Sequence, residues 1–293
     1  MLLNYTLVPF LLALKVNVPE GTRDFNAEYL FDFDRTTVVY KEYPETTQIT
    51  AALICQPFQL SGLRCFLHDV MTLKTVLKYK NRDTEEIARE HIKYEKWFII
   101  NFNEHGVQDV LVHTKSEGTI RKIIADIAKH FNISGGLITK ILNFTTGLTV
   151  RETTPLGNCR IKYNMTVLHG DYERNEKQDP KFQIIPFAMA KQFAELRDAH
   201  IRIEKNRLKC KLPSGSAQVS VLANRIEMDK YNYTMEIVND KLNISSATRM
   251  LDDLCELDVC FIMTETVLLN LTNIRSPQTV AQNEFYKWTA FNI

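Results

Sequence analysis

Two carboxylates come closest to offering chemistry. Asp32 and Asp34 lie in Tyr29-Leu30-Phe31-Asp32-Phe33-Asp34-Arg35-Thr36, where an apolar strand-like run ends in D-x-D-x-T. Two acidic side chains on one loop can hold Mg²⁺, with one attacking a phosphoryl group and the other moving a proton. The plainer reading is preferred. In a strand, residues two apart share a face, so Asp32 and Asp34 are the solvent side of an alternating strand. The seven histidines, at positions 68, 91, 105, 113, 130, 169 and 200, are scattered and form no H-E-x-x-H or other close ligand pair. G-x-S-x-G, G-x-x-x-x-G-K-[ST] and G-x-G-x-x-G are absent as well. No catalytic residue, metal or cofactor is expected.

The D-x-D-x-T stretch resembles the first motif of haloacid-dehalogenase-like phosphotransferases. That resemblance implies Asp32 as nucleophile and Asp34 as acid/base, with Asp252-Asp253 available for the family's terminal acidic pair. The intervening chain alternates like β-strands instead of repeating β-α-β units. The phosphotransferase is therefore the alternative function, and a protein that is not an enzyme is expected.

Cysteines and sequons speak about compartment. Six cysteines, Cys55, Cys65, Cys159, Cys210, Cys255 and Cys260, include no C-x-x-C pair, so a zinc knuckle or a thioredoxin-type site is not expected. An even number suits up to three disulfides in a secreted chain, and buried thiols in a cytosolic one are the alternative. Nearness in sequence alone offers Cys55 with Cys65 and Cys255 with Cys260. Asn-x-Ser/Thr occurs at Asn4, Asn132, Asn143, Asn164, Asn232, Asn243 and Asn270. With 20 Asn and 35 Ser+Thr in 293 residues, chance supplies about two. The surplus favours a glycoprotein, with the six beyond Asn4 on loops or exposed edges. Leu7 to Leu14 is an apolar run of signal-peptide length, although no Lys or Arg precedes it and no A-x-A-like site follows. Its alternative is a buried first strand. The expected division is a signal peptide over 1–18 and one domain over 19–293, with a sub-boundary near 180.

The elements that must position these residues are mostly strands. Residues 24–80 carry short apolar runs with turn residues every 8–12 positions, the pattern of an antiparallel meander or barrel. Residues 80–95 place Ile87, His91 and Tyr94 at helical spacing and read as a surface helix. Trp97-Phe98-Ile99-Ile100 and Val107 to His113 read as a hairpin. The clearest helix spans 117–131, with Ile120, Ile123, Ile124, Ile127 and Phe131 on one stripe. Ser116 can cap it, and Glu117 suits its positive end. One apolar-faced helix in a strand-rich chain should pack on the sheet; a lipid-surface helix is the alternative. Short helices near 188–200 and 250–258 complete the expectation. Arg202, Lys205, Arg207, Lys209 and Lys211 form a basic strip, a candidate surface for an acidic receptor, glycan sulfate or lipid head groups, with a solvated strand face as the plain reading.

Composition excludes several classes. Lys+Arg number 36 and Asp+Glu 35, so the near-neutral chain is no generic polyanion binder, and nucleic acid is not an expected partner. Hydrophobic residues make up 45% and charged residues 24%, which rules out wholesale disorder. No 18-residue apolar stretch exists, so no transmembrane helix is expected.

Taken together, these features resemble the N-terminal β-domain of vitellogenins and related large lipid transfer proteins. Glu152-Thr153-Thr154-Pro155-Leu156-Gly157-Asn158-Cys159-Arg160-Ile161-Lys162-Tyr163 is similar to the family's E-S-x-x-G-x-C-x-x-x-Y stretch. Ile203-Glu204-Lys205-Asn206-Arg207-Leu208-Lys209-Cys210 is similar to its I-x-K-x-x-x-x-x-C strand. The order of parts also matches: signal, aromatic-rich strands, an amphipathic helix after a W-F-x-I hairpin, then the cysteine strand. The resemblance covers about residues 22–275. It implies pairing of Cys159 with Cys210 and an antiparallel barrel wrapped around the helix, mostly β in class. Departures are Thr153-Thr154 in place of Ser and a long spacing between the two cysteines.

The function this implies is a secreted module of the lipid transfer class. It would bind a cell-surface receptor or lipoprotein, with Arg202, Lys205 and Arg207 as the patch. A second version carries one or a few lipids against Ile120, Ile124 and Ile127.

Overall fold

A computed structural model describes residues 6–8, 11–14, 28–58, 62–78, 83–103, 106–133, 148–154, 157–169, 183–185, 199–211, 226–238, 241–252, 261–275 and 288–291. The strands are β1 (Thr6–Val8), β2 (Leu11–Leu14), β3 (Glu28–Val39), β4 (Glu45–Phe58), β5 (Gly62–Lys78), β6 (Asp83–Ile92), β7 (Lys96–Asn103) and β8 (Gly106–His113). After helix α1 (Gly118–His130) come β9 (Leu148–Thr154), β10 (Gly157–His169), β11 (Gln183–Ile185), β12 (Ala199–Lys211), β13 (Ile226–Val238), β14 (Lys241–Asp252), β15 (Phe261–Arg275) and β16 (Trp288–Phe291). The protein is mostly β with one helix among the described residues.

Thirteen strands form one antiparallel sheet in the order β16-β8-β7-β5-β4-β3-β15-β14-β13-β12-β10-β9, with β6 also paired to β5. Hairpin neighbours account for most of the order. The β8–β16 and β3–β15 pairings are long-range exceptions, and the second joins residues more than two hundred positions apart and unites two halves of the sheet. The expected barrel is corrected here. Among the described strands β9 and β16 are not paired to each other, so the sheet stays open. The apolar run near the N-terminus carries β1 and β2, which pair with β11 in a separate three-stranded sheet.

Alternation sets the two faces of the large sheet. Tyr29, Phe31 and Phe33 are buried on β3 while Asp32 between them is exposed. The same phase buries Tyr163, Ile203, Tyr233, Ile244 and Leu269 on later strands, and these join the α1 isoleucines in one core cluster. The face bearing them is the inner face.

The surface helix expected over 80–95 is a strand. Residues 83–92 pair with the second half of β5 as β6, where edge hydrogen bonds outweigh a weak helical spacing whose Ile87 stays exposed. Residues 62–67 of β5 pair instead with β7. The change of partner coincides with a bulge, where Asp69 takes a positive φ of 52° and His68 Nδ1 lies 2.8 Å from its carboxylate. The short helices expected at 188–200 and 250–258 fall largely outside the described residues; positions 199–200 and 250–252 are strand. The sub-boundary near 180 also lies outside them.

Candidate functional site

Helix α1 forms where its sequence places apolar residues at i, i+3 and i+4. Ile120, Ile123, Ile124 and Ile127 are fully buried, as are Ala128 and Phe131. The capping residue is Glu117 in extended conformation, without a side-chain cap bond. The expected cap, Ser116, instead accepts from Arg121 Nε through its carbonyl at 3.1 Å.

The C-terminal end of the helix gathers the most contacts. Phe131 meets Phe31 of β3 edge to face, with ring centroids 5.4 Å apart. The Tyr233 hydroxyl of β13 donates to the His130 carbonyl at 2.7 Å. The Lys205 ammonium of β12 donates to the Asn132 carbonyl. It lies 5.1 Å from the Tyr163 ring centre and 4.9 Å from that of Tyr233. Asn132 Oδ1 in turn accepts from the Val107 N–H of β8 at 2.9 Å. Five strands therefore converge on one helix terminus, where the backbone carbonyls carry partial negative charge that a buried cation complements.

His130 is the titratable member of this cluster. Its Nδ1 lies 2.6 Å from the Asp126 carbonyl and its Nε2 2.8 Å from Ser246 Oγ on β14. A carbonyl only accepts, so Nδ1 carries the proton and Nε2 of the neutral ring accepts from Ser246. Burial holds His130 below its ordinary value of 6.5; the Asp126 carbonyl and carboxylate oppose this, and Lys205 and Lys129 reinforce it. One turn earlier Asp126 pairs with Arg35 of β3 and, at 3.4 Å, with Lys129. Glu265 of β15 accepts from Thr37 at 3.2 Å, and burial, then the Asp126 charge, pushes its carboxyl upward. A charged group thus lines the inner face beside the apolar stripe.

The basic patch is corrected. Arg202, Lys205 and Arg207 do not share an exposed surface. Lys205 is 3% exposed. Arg207 stacks over the Tyr231 ring at 4.1 Å. Both lie in phase with Ile203, on the inner face, whereas Arg202 points outward and pairs with Glu204 at 2.8 Å and Glu236 at 3.1 Å. A bulge opposite Arg160 and Ile161 inserts Leu208 and ends the regular phase. The side chains of Lys209 and Lys211 lie outside the described residues.

The phosphotransferase geometry is not assembled among the described residues. Asp32 and Asp34 sit mid-strand between β4 and β15, not on a loop at a strand end. Asp34 accepts from Gln48 Nε2 at 2.7 Å and from Thr36 Oγ1 at 3.2 Å. Asp252 ends β14, far along the sequence from any loop with them, and Asp253 lies outside the described residues. Among the described residues no three of His, Cys, Asp or Glu gather so as to hold a metal ion.

Cys55 and Cys65 form a disulfide across β4 and β5, where they are direct cross-strand neighbours and fully buried. Cys159 is buried and disulfide-bonded, and the residue opposite it in register is Cys210. Cys255 and Cys260 lie outside the described residues. Of the sequon asparagines, Asn164, Asn232, Asn243 and Asn270 are in strands, Asn132 follows the helix, and Asn4 and Asn143 are outside the described residues.

The Tyr163–Lys205–Tyr233 sandwich escaped sequence reading. Its signal was present in phase: all three alternate with outward polar neighbours on strands that turn out to be adjacent, but that adjacency is a tertiary fact.

No family model matches the chain, and no curated protein matches it in sequence. Among solved structures, one described as "Lipid-protein interactions in lipovitellin" matches with a TM-score of 0.57 at 10% identity. The match covers 88% of this chain and 26% of that one, so this chain spans about a quarter of the lipovitellin chain. At that identity the likeness is one of fold: an open antiparallel sheet with its helix, arranged as in a vitellogenin-like protein.

Proposed function

We propose that the protein is a secreted, vitellogenin-like module of the lipid transfer class, acting by binding and not by catalysis, which docks on a receptor or lipoprotein and carries at most a little lipid. The observation that carries this reading is the fold likeness to lipovitellin over most of the chain. The Cys55–Cys65 disulfide supports an oxidising compartment. The helix isoleucines are buried in the core cluster of the inner face, which supports a small lipid capacity. No helix among the described residues is long and apolar enough to cross a membrane.

The test is expression of the full chain in a secreting eukaryotic host, followed by solvent extraction and lipid mass spectrometry of the purified protein. Protein in the medium with at most a few lipid molecules per chain is expected. Retention inside the cell with free thiols would overturn the secreted reading, and bulk lipid would replace the binding module by a carrier.

A further inference from the structure

We propose that the outer face of the large sheet is a glycan-bearing surface, modified at Asn164, Asn232, Asn243 and Asn270, and that the fifth described sequon, at Asn132, stays bare. The proposal rests on the secretory reading above, because the glycan donor belongs to that route.

Strand phase supplies the first argument. Each of the four asparagines stands beside buried inward residues: Asn164 next to Tyr163, Asn232 next to Tyr233, Asn243 between Leu242 and Ile244, and Asn270 between Leu269 and Leu271. All four therefore point away from the core. Asn232 and Asn243 are exposed; Asn164 and Asn270 are half-buried. A two-residue strand period also puts the sequon hydroxyl on the same face as its asparagine, as with Thr166 beside Asn164 and Ser245 beside Asn243.

Register supplies the second argument. Asp32, Asn270, Asn243, Glu236 and Arg202 follow one another across five adjacent strands. The next row reads Asn164, Glu204, Thr234 and Ser245. Three sequon asparagines thus share two neighbouring rows, and Asn232, two residues before Thr234, lies on the same face, so all four fall within one area five strands wide, from β10 to β15. The area is polar except for Leu268, exposed opposite Ser245 and two residues before Asn270, so a sugar there covers little apolar surface.

Asn132 differs in being held by the protein: its Oδ1 takes the Val107 N–H and its carbonyl takes Lys205. A Cβ on Gly106 would come within 2.1 Å of that Oδ1, so the side chain is enclosed on the β8 side too. A sugar on Nδ2 would have to displace this packing.

The transfer balances without redox change. The asparagine amide nitrogen bonds to the anomeric carbon of an oligosaccharide carried on a lipid pyrophosphate. The bond from that carbon to the pyrophosphate oxygen breaks, the lipid pyrophosphate leaves, and the amide gives up one proton. One consequence concerns partners. Arg202 lies two strands from Asn243 in the same row, so glycans there keep a docking protein off the only outward member of the basic trio.

The experiment is site-by-site occupancy mapping. The full chain is secreted from eukaryotic cells, once with its own N-terminus and once behind an appended secretion leader. Peptide-N-glycosidase treatment in heavy-oxygen water then converts each glycosylated Asn to labelled Asp, read by peptide mass spectrometry. Label at Asn164, Asn232, Asn243 and Asn270 with none at Asn132 is expected. Label at Asn132, or unlabelled outer-face asparagines in chain that has passed through the secretory route, overturns the proposal. If only the leader-borne chain is exported and carries the expected pattern, the secretory reading fails while the glycan face stands.

Discussion

Lys205 is a cation enclosed by protein, and its partners explain why it is tolerated there. It donates to the Asn132 carbonyl at a helix C-terminus and lies against two tyrosine rings. Replacing it with Met keeps the stem's packing but leaves that carbonyl without this donor. A hydrogen bond to a charged group contributes about 1.5–3 kcal/mol, so Lys205→Met should lower unfolding free energy by about that amount in urea titration. His130 gives the site a pH signature. Its folded-state value is depressed, so its contribution is complete above 6.5 and is lost as pH falls below that ordinary value. Asp126, Lys129 and Lys205 are the charges that act on it. Glu265, whose carboxyl is pushed above its ordinary 4.5, acts in the opposite sense at lower pH. Stability measured from pH 7 down to pH 5.5 should therefore decline in the parent and decline less in His130→Gln.

At the scale of elements, α1 and the strands beneath it depend on each other. The helix has 13 residues and an N-cap with no side-chain bond, so its intrinsic stability is marginal. Burial of the isoleucine stripe and of Phe131 holds it in place. Phe131→Ala removes the edge-to-face contact with Phe31 and opens a cavity between helix and sheet. A loss of about 3–5 kcal/mol is expected in equilibrium unfolding, against near-neutral effects for exposed positions such as Lys122. Strand β5 shows another dependence. One bulge at Asp69 lets a single 17-residue strand serve β7 with its first part and β6 with its second.

For the whole molecule, the decisive feature is a sheet that stays open. The β3–β15 pairing welds an N-terminal half carrying the helix to a C-terminal half carrying Lys205, Tyr233 and Ser246. The helix terminus is then tied to both halves, so the inner face is structural where α1 lies. The outer face bears the sequons between β10 and β15. The lipid measurement belongs at this scale, because the proposed capacity of at most a few molecules rests on helix side chains packed into the inner-face core. The fold likeness reaches only about a quarter of lipovitellin, so its lipid chemistry enters this protein as a proposal and not as an inheritance.

Local physics was enough for much of this. Alternation revealed the β3 strand and its outward Asp32 and Asp34, because a strand's period is set by its own backbone. The isoleucine spacing revealed α1 within a residue at each end, and the hairpin of β7 and β8 was legible from two apolar runs around Asn103 to Gly106. The resemblance to vitellogenins pointed toward the fold that the lipovitellin comparison then supported. What the sequence left undecided was long-range. Residues 83–92 read as helix because β5, which makes them a strand, is recognisable as their partner only after folding. The basic strip read as one surface although Arg202 differs in strand phase from Lys205 and Arg207; that the last two face inward, against Tyr233 and Tyr231, depends on which face the assembled sheet buries. Barrel closure depends on whether the two end strands meet, which no local pattern encodes. Side-chain period is a property of the chain; which face is inside, and what stands across from each residue, is a property of the assembled sheet.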